Sequence, residues 1–167
     1  GIFRPGQEII VLPSGFTSKI KTIDTFEGAL EEAFAPMSVS MTLEDNIDIS
    51  RGDMIVKKNN VPEATQDLDV MLCWLNNESA KPSAKYKILQ TSNEQKAIIK
   101  EVVYKINVNN LERDEEDKSL TMNDICRVKI RTTKPLMVDP YRVNRTSGSI
   151  ILVDDATHET VAAGMII

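Results

Sequence analysis

Apolar and polar residues alternate along most of this chain with a period of two. That is the spacing of a strand that buries one face. Met37, Val39, Met41 and Leu43 fall on one side of a strand, with Ser38, Ser40 and Thr42 on the other. Leu68, Val70, Leu72 and Trp74 share a face, and so do Val102, Tyr104, Ile106 and Val108. Cys126, Val128 and Ile130 oppose Arg127, Lys129 and Arg131. Shorter candidates are EIIVLP (8–13), KIKTI (19–23), DMIVK (53–57), YKILQT (86–91), SIILVD (149–154) and TVAAGMI (160–166). Turn residues punctuate them at Pro13-Ser14-Gly15, Arg51-Gly52-Asp53 and Thr146-Ser147-Gly148. EGALEEAFA (27–35) has some helical propensity, but Gly28 inside it and Pro36 after it predict a loop or a short turn.

About ten short strands with no long helix predict an all-β chain of barrels or sandwiches. The polar stretch 57–66, with Pro62, interrupts the strands. The expected division is a first domain over 1–58, a linker over 59–66 and a second domain over 67–167. Trp74 is expected in the core of the second domain, because large aromatic side chains dominate core energetics. On the first domain's inner side the expected residues are Ile10, Met37, Val39 and Met41.

Composition narrows the function. Hydrophobic residues make up 41% and charged residues 27% of the 167 residues, the balance of a globular protein. A net charge of −5 is a poor basis for sequence-independent nucleic-acid binding, which needs clustered Lys and Arg. One local exception is Arg127, Lys129, Arg131 and Lys134, read as the solvent face of a strand. No apolar run is long enough to suggest a membrane span. Cys73 and Cys126 sit in apolar stretches and are expected to be reduced, buried thiols, which favours a cytoplasmic setting. The run LERDEEDKSL (111–120) is expected to be a solvated loop. The sequence contains no GxxxxGK[ST] loop, no glycine-rich dinucleotide fingerprint and no GxSxG elbow. His158, beside Asp154, Asp155 and Glu159, is the single histidine; it is read as a solvent-facing turn residue rather than half of an acid–base pair. No catalytic, cofactor-binding or metal-binding residue is assigned.

Several stretches together resemble the elongation-factor-Tu-like GTPases. Within them the resemblance is to the large, GTP-binding subunit family of bacterial sulfate adenylyltransferase. GQEIIVLPSGFTSKIKTIDT (6–25) and LEDNIDISRGDMIV (43–56) look like the second domain of that family. The segment 98–141, with INVNNL, and NRTSGSIILVDDATHETVAAGMI (144–166) look like the third. Thr157-His158 stands where the family often has Thr-Asn. The resemblance implies two tandem β-barrels, the first incomplete, because the family's opening strand ahead of FRPGQEI is absent. It also implies that this is a piece of a longer protein, since the GTPase domain with its P-loop, DxxG and NKxD motifs is not here. GTP and magnesium would belong to that domain, and no cofactor to this chain.

The implied partners are the catalytic small subunit, which joins ATP and sulfate into adenylyl sulfate and pyrophosphate, and the chain's own GTPase domain. Neither nucleic acid nor membrane is expected as a partner. An open barrel edge offers a route to self-association. Two other readings compete: the tRNA- or ribosome-binding barrels of a translational GTPase, and an unrelated all-β module for a small ligand. In this setting Arg51-Gly52-Asp53 reads as a turn rather than an adhesion signal. Gly52 would permit the turn, Asp53 would cap it, and Arg51 would pair with Glu44, Asp45 or Asp48.

Overall fold

The structure is a computed structural model and describes residues 1–81 and 84–167. Among these there is no helix. The chain divides into two compact units, Gly1–Val61 and Pro62–Ile167.

The first unit contains β1 (Ile2–Phe3), β2 (Glu8–Leu12), β3 (Thr17–Thr25), β4 (Gly28–Ala29), β5 (Ala33–Phe34), β6 (Ser40–Leu43) and β7 (Met54–Lys57). Its main sheet runs β4-β3-β2-β7, with β6 also on β3, while β1 pairs separately with β5. The sheet curls around Ile9, Val11, Ile20, Ile23 and Ala33. Ile9 and Val11 point inward, so Ile10, expected inward, is on the other face. In EIIVL both parities are apolar, and the period cannot choose between them; pairing to β3 and β7 does. Val39 and Met41 pack against the core as expected. Met37 does not: it precedes the strand, donates its N–H to Phe34 O in a turn and stays exposed. The segment 27–35, expected as a loop or a short turn, contains two two-residue strands.

The second unit contains β8 (Glu63–Trp74), β9 (Lys85–Gln90), β10 (Asn93–Ile106), β11 (Arg113–Asp114), β12 (Ile125–Val138), β13 (Ser149–Asp154) and β14 (Thr160–Ile166). Six of them close a ring, β10-β12-β8-β14-β13-β9 and back to β10, all antiparallel. Closure gives each of these six strands a neighbour on both sides. β8 starts at Glu63, inside the stretch 59–66 expected as a linker, because Glu63, Ala64 and Thr65 pair with Val138, Met137 and Leu136.

The barrel interior is what the alternation predicts for β8 and β12. Leu68, Val70, Leu72 and Trp74 are buried, as are Cys126, Val128 and Ile130. Trp74 meets Tyr86 edge-on, with ring centroids 5.9 Å apart, and its Nε1–H donates to Glu78 O at 2.9 Å. A hydrogen-bond partner offsets the cost of taking an indole N–H out of water. β10 departs from the pattern. It bulges between Ile99 and Glu101 and again between Val102 and Tyr104. Each bulge shifts which face the following residues occupy. Tyr104 and Lys105 are therefore both buried, while Val108, expected beside Tyr104, lies beyond the strand and is 62% exposed.

Candidate interaction surface

The outer face of β8 and β12 carries the basic stripe, and acids on the neighbouring strand meet it. Register places Lys129 opposite Asp69 and Arg131 opposite Asp67. Arg127 donates from Nε and Nη2 to the two Asp69 oxygens at 2.9 and 2.6 Å, a bidentate fork. Lys129 Nζ donates to Asp69 Oδ2 at 2.5 Å, and Arg131 pairs with Asp67. The Arg127 guanidinium, opposed by partial burial and helped by Lys129, pulls the Asp69 carboxyl down to about 2. The structure thus gathers Arg127, Lys129 and Arg131 on one face but neutralises most of their charge in place. Lys134 enters no ion pair among the described residues; its backbone N–H donates to Gln95 Oε1. A phosphate backbone would have to displace Asp67 and Asp69 to use this stripe.

Lys105 is the polar residue that alternation missed. Its Nζ donates to Asp117 at 2.7 Å and to Ser119 Oγ at 3.2 Å, and lies 2.8 Å from Asp124 Oδ2. Burial alone would push this ammonium's pKa down; the two carboxylates more than offset it, and the net direction is upward. Asp117 is held well below the usual carboxylate range, chiefly by Lys105 and then by Ser119. Asp124 also accepts from the Thr121 N–H and hydroxyl at 2.7 and 2.9 Å. The acidic run at 111–120 is therefore partly a tether: Asp117 ties the loop to the barrel wall. Arg113 lies over the Tyr104 ring, 4.7 Å from its centroid.

The remaining residues singled out by sequence take structural places. His158 sits at φ 61° in an exposed turn, its backbone N–H donating to Asp154 O at 3.0 Å. Asp154 accepts from the Ala156 and Thr157 N–H groups, Asp155 pairs with Lys96 and Glu159 accepts from Asn76. The structure thus turns these three acids to other partners, and none pairs with the His158 ring. Gly52, at φ +101°, makes the turn before β7, and Asp53 accepts the Ser50 N–H at 2.8 Å. Arg51 makes no ion pair among the described residues; Asp45, one of its expected partners, accepts from the Ser18 hydroxyl instead. Cys73 and Cys126 lie on paired strands but on opposite faces: Cys126 is buried, its thiol pushed up to about 12 by burial, and Cys73 is only half-buried. Among the described residues no group of three or more His, Cys, Asp or Glu side chains could hold a metal ion, and no helix is long and apolar enough to cross a membrane.

One concavity stands out on the second unit. A cavity of about 380 Å³ opens beside the bulge of β10. Its floor is Tyr86, Ile99, Val102 and Leu120, with Ala80 and Ala84 at the wall. Ala80, Ala84, Ile99 and Val102 are the partly buried residues that pack on the barrel's core cluster, so the core reaches the surface here. Lys81, Lys100 and Lys118 stand at the rim with Glu101. No sequence pattern flagged this site, because its walls come from segments far apart in the chain.

Residues 67–167 match the family model described as GTP-eEF1A C-terminal domain-like. The chain belongs to that family, which agrees with the closed antiparallel barrel. Over its whole length the chain is 47% identical to a bifunctional enzyme CysN/CysC of Rhodopirellula baltica and 43% identical to sulfate adenylyltransferase subunit 1 of Bacteroides fragilis. It spans only 26% and 35% of those two relatives. Among solved structures, Sup35 complexed with GDP superposes on all of this chain with a TM-score of 0.89, the chain covering 41% of it. At 15% identity that likeness bears on fold alone.

Proposed function

We propose that this chain is the C-terminal β-region of a GTP-dependent sulfate adenylyltransferase large subunit. The observation that carries this reading is 47% identity running unbroken over all 167 residues. In the parent complex, ATP and sulfate give adenylyl sulfate and pyrophosphate. The small subunit performs that transfer, and a GTPase domain of the large subunit drives it. Coupling of this kind requires that the nucleotide states differ in their contacts to the neighbouring domains. This chain supplies such surfaces. Residues 1–58 act as a partial second-domain barrel and 67–167 as the third-domain barrel. Together they brace the GTPase domain and dock the small subunit, in the cytoplasm.

No residue here is assigned to catalysis. GTP and magnesium do not fit this chain's own residues: it has no phosphate-cradling loop, and its described acids form no cluster that could hold a metal. The test has two arms. The chain should co-purify with the small subunit from the same source. Alone, it should neither form adenylyl sulfate nor bind a fluorescent GTP analogue tighter than about 1 μM. Tight GTP binding, or failure to retain the small subunit, would overturn the reading.

A further inference from the structure

The cavity beside β10 is built rather than incidental. One wall is the segment 118–120, anchored below by Lys105 through Asp117 and Ser119. Lys118 is itself fixed, donating from Nζ to Val103 O at 2.8 Å. The other wall includes Ala80, whose N–H donates to Leu120 O at 3.0 Å. The chain just before it is fastened by the Trp74 indole to Glu78 O and by the Glu78 N–H to Asn76 Oδ1. The floor is opened by the bulge between Ile99 and Glu101, which leaves Ile99 and Val102 short of full burial. Three lysines against one glutamate surround this apolar floor, on a chain whose net charge is −5. Among the described residues Lys100 has no ion-pair partner, while Lys81 pairs with the exposed Glu78 and also acts on the Asp154 carboxylate.

From these features we infer that the cavity is a docking socket for one apolar side chain of a partner protein, carried on a segment with carboxylates on either side. The apolar floor of Tyr86, Ile99, Val102 and Leu120 takes the side chain, and Lys81, Lys100 and Lys118 meet the flanking acids. A pocket that desolvates one anchor, with an excess of one charge sign at its rim, is the arrangement in which a few residues dominate binding and the rim sets orientation. The inference rests on the reading above that the chain works against a small subunit, and it names the surface that would do so.

The test titrates purified small subunit from the same source against the chain and two variants. Ala80→Trp fills the socket; Lys81→Glu with Lys100→Glu reverses its rim. A third variant, Arg142→Glu with Arg145→Glu, alters a different exposed loop of the same barrel as a control. Both socket variants should weaken binding roughly tenfold or more, with unchanged circular dichroism and melting, and the rim variant should lose most of the salt dependence. The control should stay within about twofold of the parent chain. If Ala80→Trp fails to fold, the rim variant decides. Folded socket variants that bind within about twofold of the parent chain overturn the socket and leave the subunit reading intact. A parent chain that does not bind the small subunit at all overturns both.

Discussion

At the scale of single residues, Asp69 shows how the outer face of the barrel is kept quiet. It accepts a fork from Arg127 and a third bond from Lys129, and its side chain is 24% exposed. A carboxyl lowered from 3.8 to about 2 on folding contributes stability that is complete above the unfolded value and is lost as pH falls through the folded one. Asp69→Asn should therefore cost about 1 kcal/mol at pH 7, within the range of a partly solvated ion pair. The gap to the parent chain should narrow between pH 4 and pH 2 and vanish below about 2. Urea midpoints at a series of pH values check this. A gap that does not change with pH would mean that the carboxylate's shape matters and its charge does not. Lys105 is the opposite case: a buried cation whose two acids, Asp117 and Asp124, make its burial tolerable.

At the scale of elements, the loop after β12 is over-determined. Asp139 Oδ2 accepts from Ser147 Oγ and Asn144 Nδ2, and buried Gln90 donates from Nε2 to both Met137 O and Ser147 O at 2.7 Å. Gly148 packs so closely on the Tyr141 backbone that an added Cβ would sit 2.4 Å from Tyr141 Cα. Backbone cannot give way as a flexible side chain can. Gly148→Ala should therefore cost about 2 kcal/mol or more, measured as a fall in urea midpoint at unchanged slope. A neutral substitution would show that the loop shifts freely. The same scale explains what sequence alone could and could not reveal. β8 and β12 were legible where their two faces differ chemically: Leu68 and Val70 alternate with Asp67 and Asp69, and Cys126 to Ile130 alternate with Arg127 and Lys129. β2 was legible as a strand but not in its parity, since EIIVL is apolar on both sides. β10 misled because its two bulges leave no mark in the apolar pattern; Lys105 reads as an outward residue between Tyr104 and Ile106. The socket was invisible for a different reason. Ala80, Ile99 and Leu120 belong to three separate segments, and only strand pairing and the tether from Lys105 bring them together.

At the scale of the whole molecule, the two units differ in how they are closed. Around the second, among the described residues, six strands form a ring and eighteen buried residues make its core. The first has five buried core residues and an open sheet. Among the described residues β7 pairs only with β2, so its outer backbone groups face away from the sheet. Its sequence, Met54-Ile55-Val56-Lys57, is apolar but for one terminal lysine, weak protection for an edge. Each unit opens with its own free energy, and amide exchange reports that energy where opening is local. Residues 1–61 should exchange faster than residues 62–167, with β2 and β3 the best protected part of the first unit and β8 and β12 of the whole chain. The edge with a single strand partner should also template pairing with a second copy. Sedimentation should then show association that grows with concentration, and Met54→Lys should reduce it by placing a second charge on the edge strand without touching Ile9, Val11 or Ile20. Equal protection in both units, together with a monomer at every concentration, would mean that the first unit is self-sufficient as it stands and that its open edge is no liability.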